Sequence, residues 1–243
     1  MPSCAPCASS GKRSYRASVA DLLESIEVET GRQPRAAVLW LHGLGADGHD
    51  FEPIVPELDL PATLPVRFVF PHAPLRPVTI NRGMVMRAWY DVRDDGGERR
   101  EDEAGVQASQ EQIEALIARE QARGVTADRL VLAGFSQGGA MALHTGLRHP
   151  ARLAGILALS CFLPLADRVA AEASPANRDV PIFLAHGTHD AVIPLARAHR
   201  ARAVLEGLGY RVEWHEYPMP HAVCREEIEE IGRWLRGVLG GTS

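Results

Sequence analysis

The feature that most constrains the fold is a pentapeptide, Gly134-Phe-Ser-Gln-Gly138, between an apolar run and a segment with helical periodicity. The run before it, 130–132, is typical of a strand buried on both faces. The segment after it, 140–147, carries good helix formers at helical spacing. Because Pro150 disfavours helical geometry in the preceding residue, the helix is expected to end by His149.

A strand that enters a helix through two glycines predicts a tight turn with Ser136 at its apex. The hydroxyl is then expected to project from the carboxyl end of the sheet, beside the amino end of the helix. Free backbone N–H groups at that helix end favour an oxyanion, which suits a nucleophile in acyl transfer. The alternative is a glycine-rich strand-to-helix turn without chemistry, and only partner residues elsewhere in the chain can decide between the two.

Composition limits the classes of protein and of partner. The 243 residues are 46% apolar and 23% charged, which predicts a sizeable core, and a net charge of −5 gives no electrostatic basis for binding nucleic acid. No run approaches the roughly 18 apolar residues of a membrane helix, so no stable membrane insertion is expected. The amino terminus makes a poor secretory signal, and the expected location is the cytoplasm.

The chain carries no internal repeat and no low-complexity linker, so one domain is expected over residues 21–243. Residues 1–20 are small, polar and proline-containing, which is typical of a disordered or loosely packed tail. Cys4 and Cys7 form a C-x-x-C pattern there, but no second pair completes a zinc site. Four cysteines in a chain of this length do not indicate a disulfide framework.

Periodicity predicts an α/β chain. Apolar or alternating runs indicate strands at 22–30, 36–41, 66–70, 130–132, 154–159, 180–185 and 210–217. Helical spacing indicates helices at 104–123, 140–147, 194–205 and 228–238. The alternation of the two predicts a mostly parallel central sheet with helices on both faces and no large cap domain. A long irregular stretch at 72–101 is expected to be a functional loop.

A serine nucleophile needs a base held by a carboxylate, and in this kind of sheet the acid and then the histidine follow the serine on later loops. Asp190 is the acidic residue in the loop after the next-to-last strand, whereas Asp179 precedes that strand and belongs to the opposite edge. His221 follows the last strand, while His215 lies inside it. Asp190 and His221 are therefore the predicted partners of the serine. The alternatives are a turn-forming or helix-capping role for Asp190 and a plain surface position for His221.

An oxyanion hole needs one backbone N–H just after the nucleophile and another on the loop after an early strand. Gln137 supplies the first, and Leu44, between two glycines, is the preferred source of the second. His42 precedes this loop and is expected to orient it rather than to act in catalysis. His186 and His189 are spaced as a metal pair would be, but no carboxylate-rich set completes a site, so no metal is predicted.

Six segments together resemble the phospholipase/carboxylesterase family of α/β-hydrolases, which includes acyl-protein thioesterases and small bacterial carboxylesterases. The resemblance extends over residues from about 22 to 239. The segments are Leu41-His-Gly-Leu-Gly45, Phe70-Pro-His-Ala-Pro74, Met86-Arg-Ala-Trp-Tyr-Asp91, Gly134-Phe-Ser-Gln-Gly-Gly139, His186-Gly-Thr-His-Asp190 and Met219-Pro-His221.

The resemblance implies the α/β-hydrolase fold, with Ser136 as nucleophile, Asp190 as orienting acid and His221 as base. It implies the same two oxyanion donors and places Trp89 near the site as a substrate-binding residue. Pro220 departs from the family, which often has glycine before the histidine, and a proline is expected to stiffen that loop. The amino-terminal tail has no counterpart in the family.

The expected activity is that of a serine carboxylesterase, which hydrolyses small to medium acyl esters through an acyl-enzyme and requires no cofactor. An acyl-protein thioesterase or lysophospholipase could use the same residues, and from another class the chain could be a catalytically silent ligand-binding homologue. The expected partner is a small-molecule ester or thioester. Acyl length, leaving group and oligomeric state, a homodimer included, are left open.

Overall fold

The computed structural model describes residues 22–94 and 99–240, and a seven-stranded sheet lies at its centre. In chain order the strands are β1 (Ser25–Glu29), β2 (Ala36–Leu41), β3 (Val66–Pro71), β4 (Leu75–Val78), β5 (Met84–Arg87), β6 (Val92–Asp94), β7 (Arg99–Glu101), β8 (Leu130–Phe135), β9 (Gly155–Leu159), β10 (Ile182–Gly187) and β11 (Val212–Tyr217). The helices are α1 (Glu103–Ala122), α2 (Gln137–Arg148), α3 (Val169–Glu172), α4 (Leu195–Gly207) and α5 (Arg225–Leu239).

The central sheet has the strand order β1-β3-β2-β8-β9-β10-β11. Every neighbouring pair in it is parallel except β1 with β3, which is antiparallel. The predicted mostly parallel sheet is thus confirmed. The single antiparallel strand is a difference in detail, because β1 reaches β3 at the edge of the sheet without a crossover helix of its own.

Two apolar cores cover the two faces of the sheet. Along β2, Leu39 and Leu41 belong to the core that also contains the buried faces of α1 and α2. Val38 and Trp40 belong to the core that α5 covers on the other face. This alternation follows from the two-residue repeat of a strand, and burial on both faces explains why β2 is an uninterrupted apolar run. The predicted helices on both faces are present.

The stretch 72–101 is more regular than the sequence indicated. Strand β4 pairs antiparallel with β5, and β6 pairs antiparallel with β7. The prediction of an irregular loop was therefore wrong for these residues. Strands of three or four residues are too short for an alternating pattern to be recognised, and Pro77 inside β4 argues against a strand in any sequence-based reading.

The connections that follow six parallel strands lie along one edge of the sheet, and four of them carry the residues considered for chemistry. Strands β2, β8, β10 and β11 run in the same direction, so the segments that follow their carboxyl ends lie along the same edge of the sheet. Those segments begin at His42, Ser136, Thr188 and Pro218. Every residue singled out for chemistry except Trp89 lies on one of them.

The predicted tail, 1–20, lies outside the described residues, as does Cys4 with Cys7. The assignment of 21–243 to a single domain stays a prediction. Within the described part of the chain no separate cap covers the carboxyl edge of the sheet. None of the described helices combines the length and the apolar character needed to cross a bilayer.

Candidate active site

Ser136 lies between the last residue of β8 and the first residue of α2, with φ 55° and ψ −118°. A positive φ is uncommon for a residue other than glycine and indicates a constrained turn. A Cβ on Gly134 would lie 2.3 Å from the backbone of Gly138, and a Cβ on Gly138 would lie 2.1 Å from the carbonyl oxygen of Leu41. Only glycine permits these approaches, so the predicted tight turn follows from both glycines of the pentapeptide.

The imidazole of His221 lies between the hydroxyl of Ser136 and the carboxylate of Asp190. Its Nε2 is 2.9 Å from Ser136 Oγ, and its Nδ1 is 2.6 Å from Asp190 Oδ2. Because a carboxylate can only accept, Nδ1 carries the ring proton and Nε2 is the acceptor for the serine hydroxyl. The structure therefore brings together the three side chains that the sequence selected, in the order that activates a serine.

The turn after β10 fixes the direction of the Asp190 carboxylate. Its Oδ1 accepts hydrogen bonds from the backbone N–H groups of Val192 and Ile193, each at 2.8 Å. Oδ2 is thereby left to face His221. The turn-forming role considered as an alternative for Asp190 is thus present together with the contact to histidine, and the two roles use different oxygens.

The two predicted oxyanion donors lie beside Ser136 and line the same cavity as His221. Gln137 is the first residue of α2, so its N–H has no partner within the helix. Leu44 lies on the loop after β2, and a Cβ on its neighbour Gly43 would be 3.4 Å from the Cβ of Ser136. Both backbone segments are therefore next to the hydroxyl, as an oxyanion hole requires.

His42 holds the Leu44 loop from behind. It is 1% exposed, its Nε2 accepts the N–H of Ala73 at 3.0 Å, and its Nδ1 donates to the carbonyl oxygen of Gly43 at 2.7 Å. Burial lowers the pKa of His42 to about 4, so the ring is neutral near pH 7, as an Nε2 that accepts must be. The expected orienting position of His42 agrees with these contacts.

Trp89 occupies a different position from the one that the resemblance implied. Its side chain is fully buried, and Trp89 is not among the described residues that line the cavity. Its indole N–H donates to the carbonyl oxygen of His42 at 2.9 Å, and its backbone N–H donates to Gln137 Oε1 at 2.8 Å. The correction is that Trp89 supports the site from behind, whereas its neighbour Tyr90 lines the cavity. Ring size alone could not distinguish these two neighbours.

The cavity beside Ser136 has a volume of about 310 Å³. Of the apolar residues at 78–86, Ile80 lines it, whereas Val78 is fully buried in the core and Met84 is 64% exposed. The wall also contains residues that the sequence reasoning did not select, namely Asp50, Tyr90, Val92, Phe135, Phe162, Val192, Ile193 and Arg197.

Two of these wall residues form a pair that could have been found. The guanidinium of Arg197 lies 3.8 Å from the centre of the Phe162 ring. Phe162 follows the carboxyl end of β9, so the rule that selected the loops after β8, β10 and β11 would have selected it as well. Arg197, in the first turn of α4, carries no comparable signal.

The cavity wall also holds a carboxylate. Burial, and secondarily the nearby charge of Asp47, raise the pKa of Asp50 above its ordinary value. Within residues 22–94 and 99–240, no group of three or more His, Cys, Asp or Glu side chains is arranged to hold a metal ion.

Comparisons with known proteins show the family to which the chain is related. The phospholipase/carboxylesterase family matches residues 23–239. An acyl-protein thioesterase 1 from Gibberella zeae is 39% identical over 213 residues, covering 84% of this chain and 91% of the relative. Another from Neurospora crassa is 42% identical over 210 residues, covering 82% and 85%.

A solved structure agrees as well. The crystal structure of Zea mays acyl-protein thioesterase 2 superposes with a TM-score of 0.79 at 29% identity, covering 89% of this chain and 99% of that one. The α/β-hydrolase fold expected from the sequence is thus confirmed. The chain belongs to the phospholipase/carboxylesterase family and is a serine hydrolase.

Proposed function

We propose that the protein is a serine carboxylesterase that hydrolyses small to medium acyl esters, with Ser136 as nucleophile, His221 as base and Asp190 as orienting acid. The observation that carries the proposal is the position of the imidazole, 2.9 Å from the hydroxyl on one side and 2.6 Å from the carboxylate on the other. These are the contacts through which a weak hydroxyl nucleophile is activated.

The first half of the reaction forms the acyl-enzyme. Ser136 Oγ attacks the carbonyl carbon while Nε2 of His221 takes its proton, and Asp190 stabilises the resulting imidazolium. When the tetrahedral intermediate collapses, Nε2 returns that proton to the leaving alcohol. A water molecule then attacks the acyl-enzyme, gives a proton to His221 and releases the carboxylic acid, and Ser136 recovers its hydroxyl proton from the imidazole. The cycle consumes one water and needs no cofactor.

The N–H groups of Leu44 and Gln137 are assigned the role of stabilising the negative charge that develops on the carbonyl oxygen. Such a donor contributes ~3 kcal/mol to stabilisation of the transition state. Trp89 is assigned a supporting role in this proposal, because its hydrogen bonds join the two backbone segments that carry the donors.

The cavity of about 310 Å³ beside Ser136 has room for an acyl chain. The second candidate is an acyl-protein thioesterase, favoured by the names of relatives 39% and 42% identical to this chain. A lysophospholipase would use the same residues. A short-chain esterase should have its highest kcat/KM at C2 to C6 esters, whereas a thioesterase or lysophospholipase should prefer longer chains, so a matched series of esters and thioesters separates them.

The test of the serine assignment is Ser136→Ala, assayed with short p-nitrophenyl esters and with a fluorophosphonate label. We expect kcat to fall by about 10³-fold or more and labelling to be lost. Ser25→Ala, which alters a hydroxyl in β1 that donates to the Leu23 carbonyl oxygen, is the matched control and should keep both. Undiminished turnover in Ser136→Ala would overturn the proposal.

We also propose that the protein acts in the cytoplasm on small-molecule substrates. Cell fractionation with an antibody against the protein checks the location, and recovery in a membrane pellet would contradict it. Whether the chain forms a homodimer is read from its mass in solution by light scattering.

A further inference from the structure

A second histidine touches the carboxylate of Asp190. His186 is in β10, next to its last residue, and is fully buried. Its Nε2 lies 2.8 Å from the carbonyl oxygen of Ile193 and 3.3 Å from Asp190 Oδ2. Both of these oxygens can only accept, because one is a carbonyl and the other belongs to a carboxylate. Nε2 of His186 therefore carries the ring proton.

Burial and hydrogen bonding favour the neutral form of the His186 ring. Burial lowers its pKa, and the titratable groups that face it are Asp190, His221 and His199. Its Nδ1 is buried without a hydrogen-bond partner among the described residues. An imidazolium would carry a second N–H at that atom with no acceptor, so the protein holds a single neutral donor behind the aspartate.

Two hydrogen bonds and one close polar contact connect His186, Ile193 and Asp190 around the turn. Ile193 donates its N–H to Asp190 Oδ1 and accepts at its carbonyl oxygen from His186. Because Nε2 of the same imidazole also lies 3.3 Å from Asp190 Oδ2, both ends of the turn contact one buried side chain of the sheet. The carboxylate consequently has few orientations open to it other than the one that faces His221.

We propose that His186 is a positioning residue for the reaction: its Nε2–H fixes the Asp190 carboxylate and the turn to Ile193, so that Oδ2 is aligned with Nδ1 of His221. This proposal rests on the proposed function of Ser136, His221 and Asp190. It goes beyond that function because it assigns a fourth side chain to the chemistry, one that never touches the substrate. Ile193 also lines the cavity, so the same contact sets part of the substrate wall.

The experiment compares His186→Gln with His186→Asn. The amide nitrogen of glutamine reaches the place of Nε2, whereas that of asparagine is one methylene too short, so the pair differs in the donor and not in polarity. We expect His186→Asn to lower kcat about 10- to 100-fold with KM changed less than about threefold. His186→Gln should recover kcat to within about threefold of wild type. The pH profile of kcat/KM should shift in the asparagine variant and coincide with wild type in the glutamine variant.

Melting temperatures of both variants are measured, and activity is compared well below the lower one. A purely structural role for His186 would lower the melting temperature and leave kcat and the pH profile unchanged, which would overturn the proposal. If His186→Asn does not fold, His186→Gln decides alone, because a folded glutamine variant that loses more than about tenfold in kcat would overturn it as well. Failure of the proposed function is recognised separately, by turnover that survives Ser136→Ala.

Discussion

His221 Nε2 lies 2.9 Å from Ser136 Oγ, although 85 residues separate the two in the chain. The loop that carries His221 is held against the end of β10, where Thr188 N–H donates to the carbonyl oxygen of Tyr217 and His189 N–H donates to that of Met219. The distance between base and nucleophile is therefore set by how closely this loop approaches β10.

Gly187 makes that approach possible, so we expect Gly187→Ala to impair catalysis. A Cβ at this position would lie 2.4 Å from the carbonyl oxygen of Met219 and 2.5 Å from that of Pro220. The loop must move to relieve the overlap, and His221 moves with it. We expect kcat/KM to fall about 10- to 100-fold, because small displacements of a catalytic group are costly. Gly207→Ala, where an added Cβ meets no atom within 4 Å, is the control and should retain full activity.

Replacement of Gln137 by alanine should affect both stability and substrate preference. Its side chain accepts from Trp89 N–H and donates to the carbonyl oxygen of Tyr90, each at 2.8 Å. Leaving these two buried backbone groups without partners should cost about 2 to 5 kcal/mol in the free energy of unfolding. The main-chain N–H at 137 remains, so the change in kcat/KM should depend on acyl length through the displaced Tyr90. Gln137→Glu keeps an acceptor for Trp89 but places a buried carboxylate against the Tyr90 carbonyl oxygen, so it should lose at least as much stability at neutral pH; wild-type stability in either variant would contradict this account.

Buried His144 should make the protein less stable in acid. Burial, with a smaller effect from the Arg148 charge, lowers the pKa of His144 from 6.5 to about 3. The unfolded chain then binds a proton that the folded chain refuses, so the free energy of unfolding falls as pH drops below about 6.5 and levels off near pH 3. The slope for one such histidine is about 1.4 kcal/mol per pH unit.

Urea unfolding at several pH values checks this prediction. Between pH 6.5 and pH 5, wild type should lose about 2 kcal/mol more than His144→Gln. Exposed His49, replaced by glutamine, controls for the removal of an imidazole. Parallel stability curves for wild type and His144→Gln would show that the histidine is protonated in the folded protein.

Glu120 should be important for stability and unimportant for activity. It is fully buried near the end of α1 and accepts from Arg67 Nη1 at 2.8 Å, Arg119 Nε at 3.1 Å and Arg123 Nη1 at 3.0 Å. Glu120→Gln removes the negative charge that compensates the three arginines. The free energy of unfolding should therefore fall by about 3 kcal/mol. Glu29→Gln, at a half-exposed partner of Arg67, should cost well under half as much. Chemical denaturation measures both, and a large fall in kcat of folded Glu120→Gln would be unexpected.

The sequence was most informative where chemistry and chain geometry constrain the same residue. Ser136 could be located because its turn needs glycine on either side, and Asp190 and His221 because parallel strands deliver their following loops to one edge. The direction of β1 could not be predicted, because alternation reports which face a side chain takes and not which way a strand runs.

The role of Trp89 was out of reach for a different reason. Its backbone N–H donates to Oε1 of the Gln137 side chain, 48 residues away, and the local sequence pattern does not contain such contacts. The role proposed for His186 could not be predicted either. Its spacing from His189 is that of a metal pair, and its contacts with Ile193 and Asp190 are formed only in the folded turn.

Gln137 connects the proposed oxyanion hole to the wall of the substrate cavity. Its backbone N–H belongs to the proposed oxyanion hole, while its carboxamide forms hydrogen bonds with the backbone of Trp89 and Tyr90, where the cavity wall begins. A 72–101 segment transplanted from a relative would therefore have to form the same hydrogen bonds with the Gln137 carboxamide. Engineers who seek a new acyl preference should retain glutamine at 137 and the backbone path across 89 and 90, and alter only the residues farther along the wall.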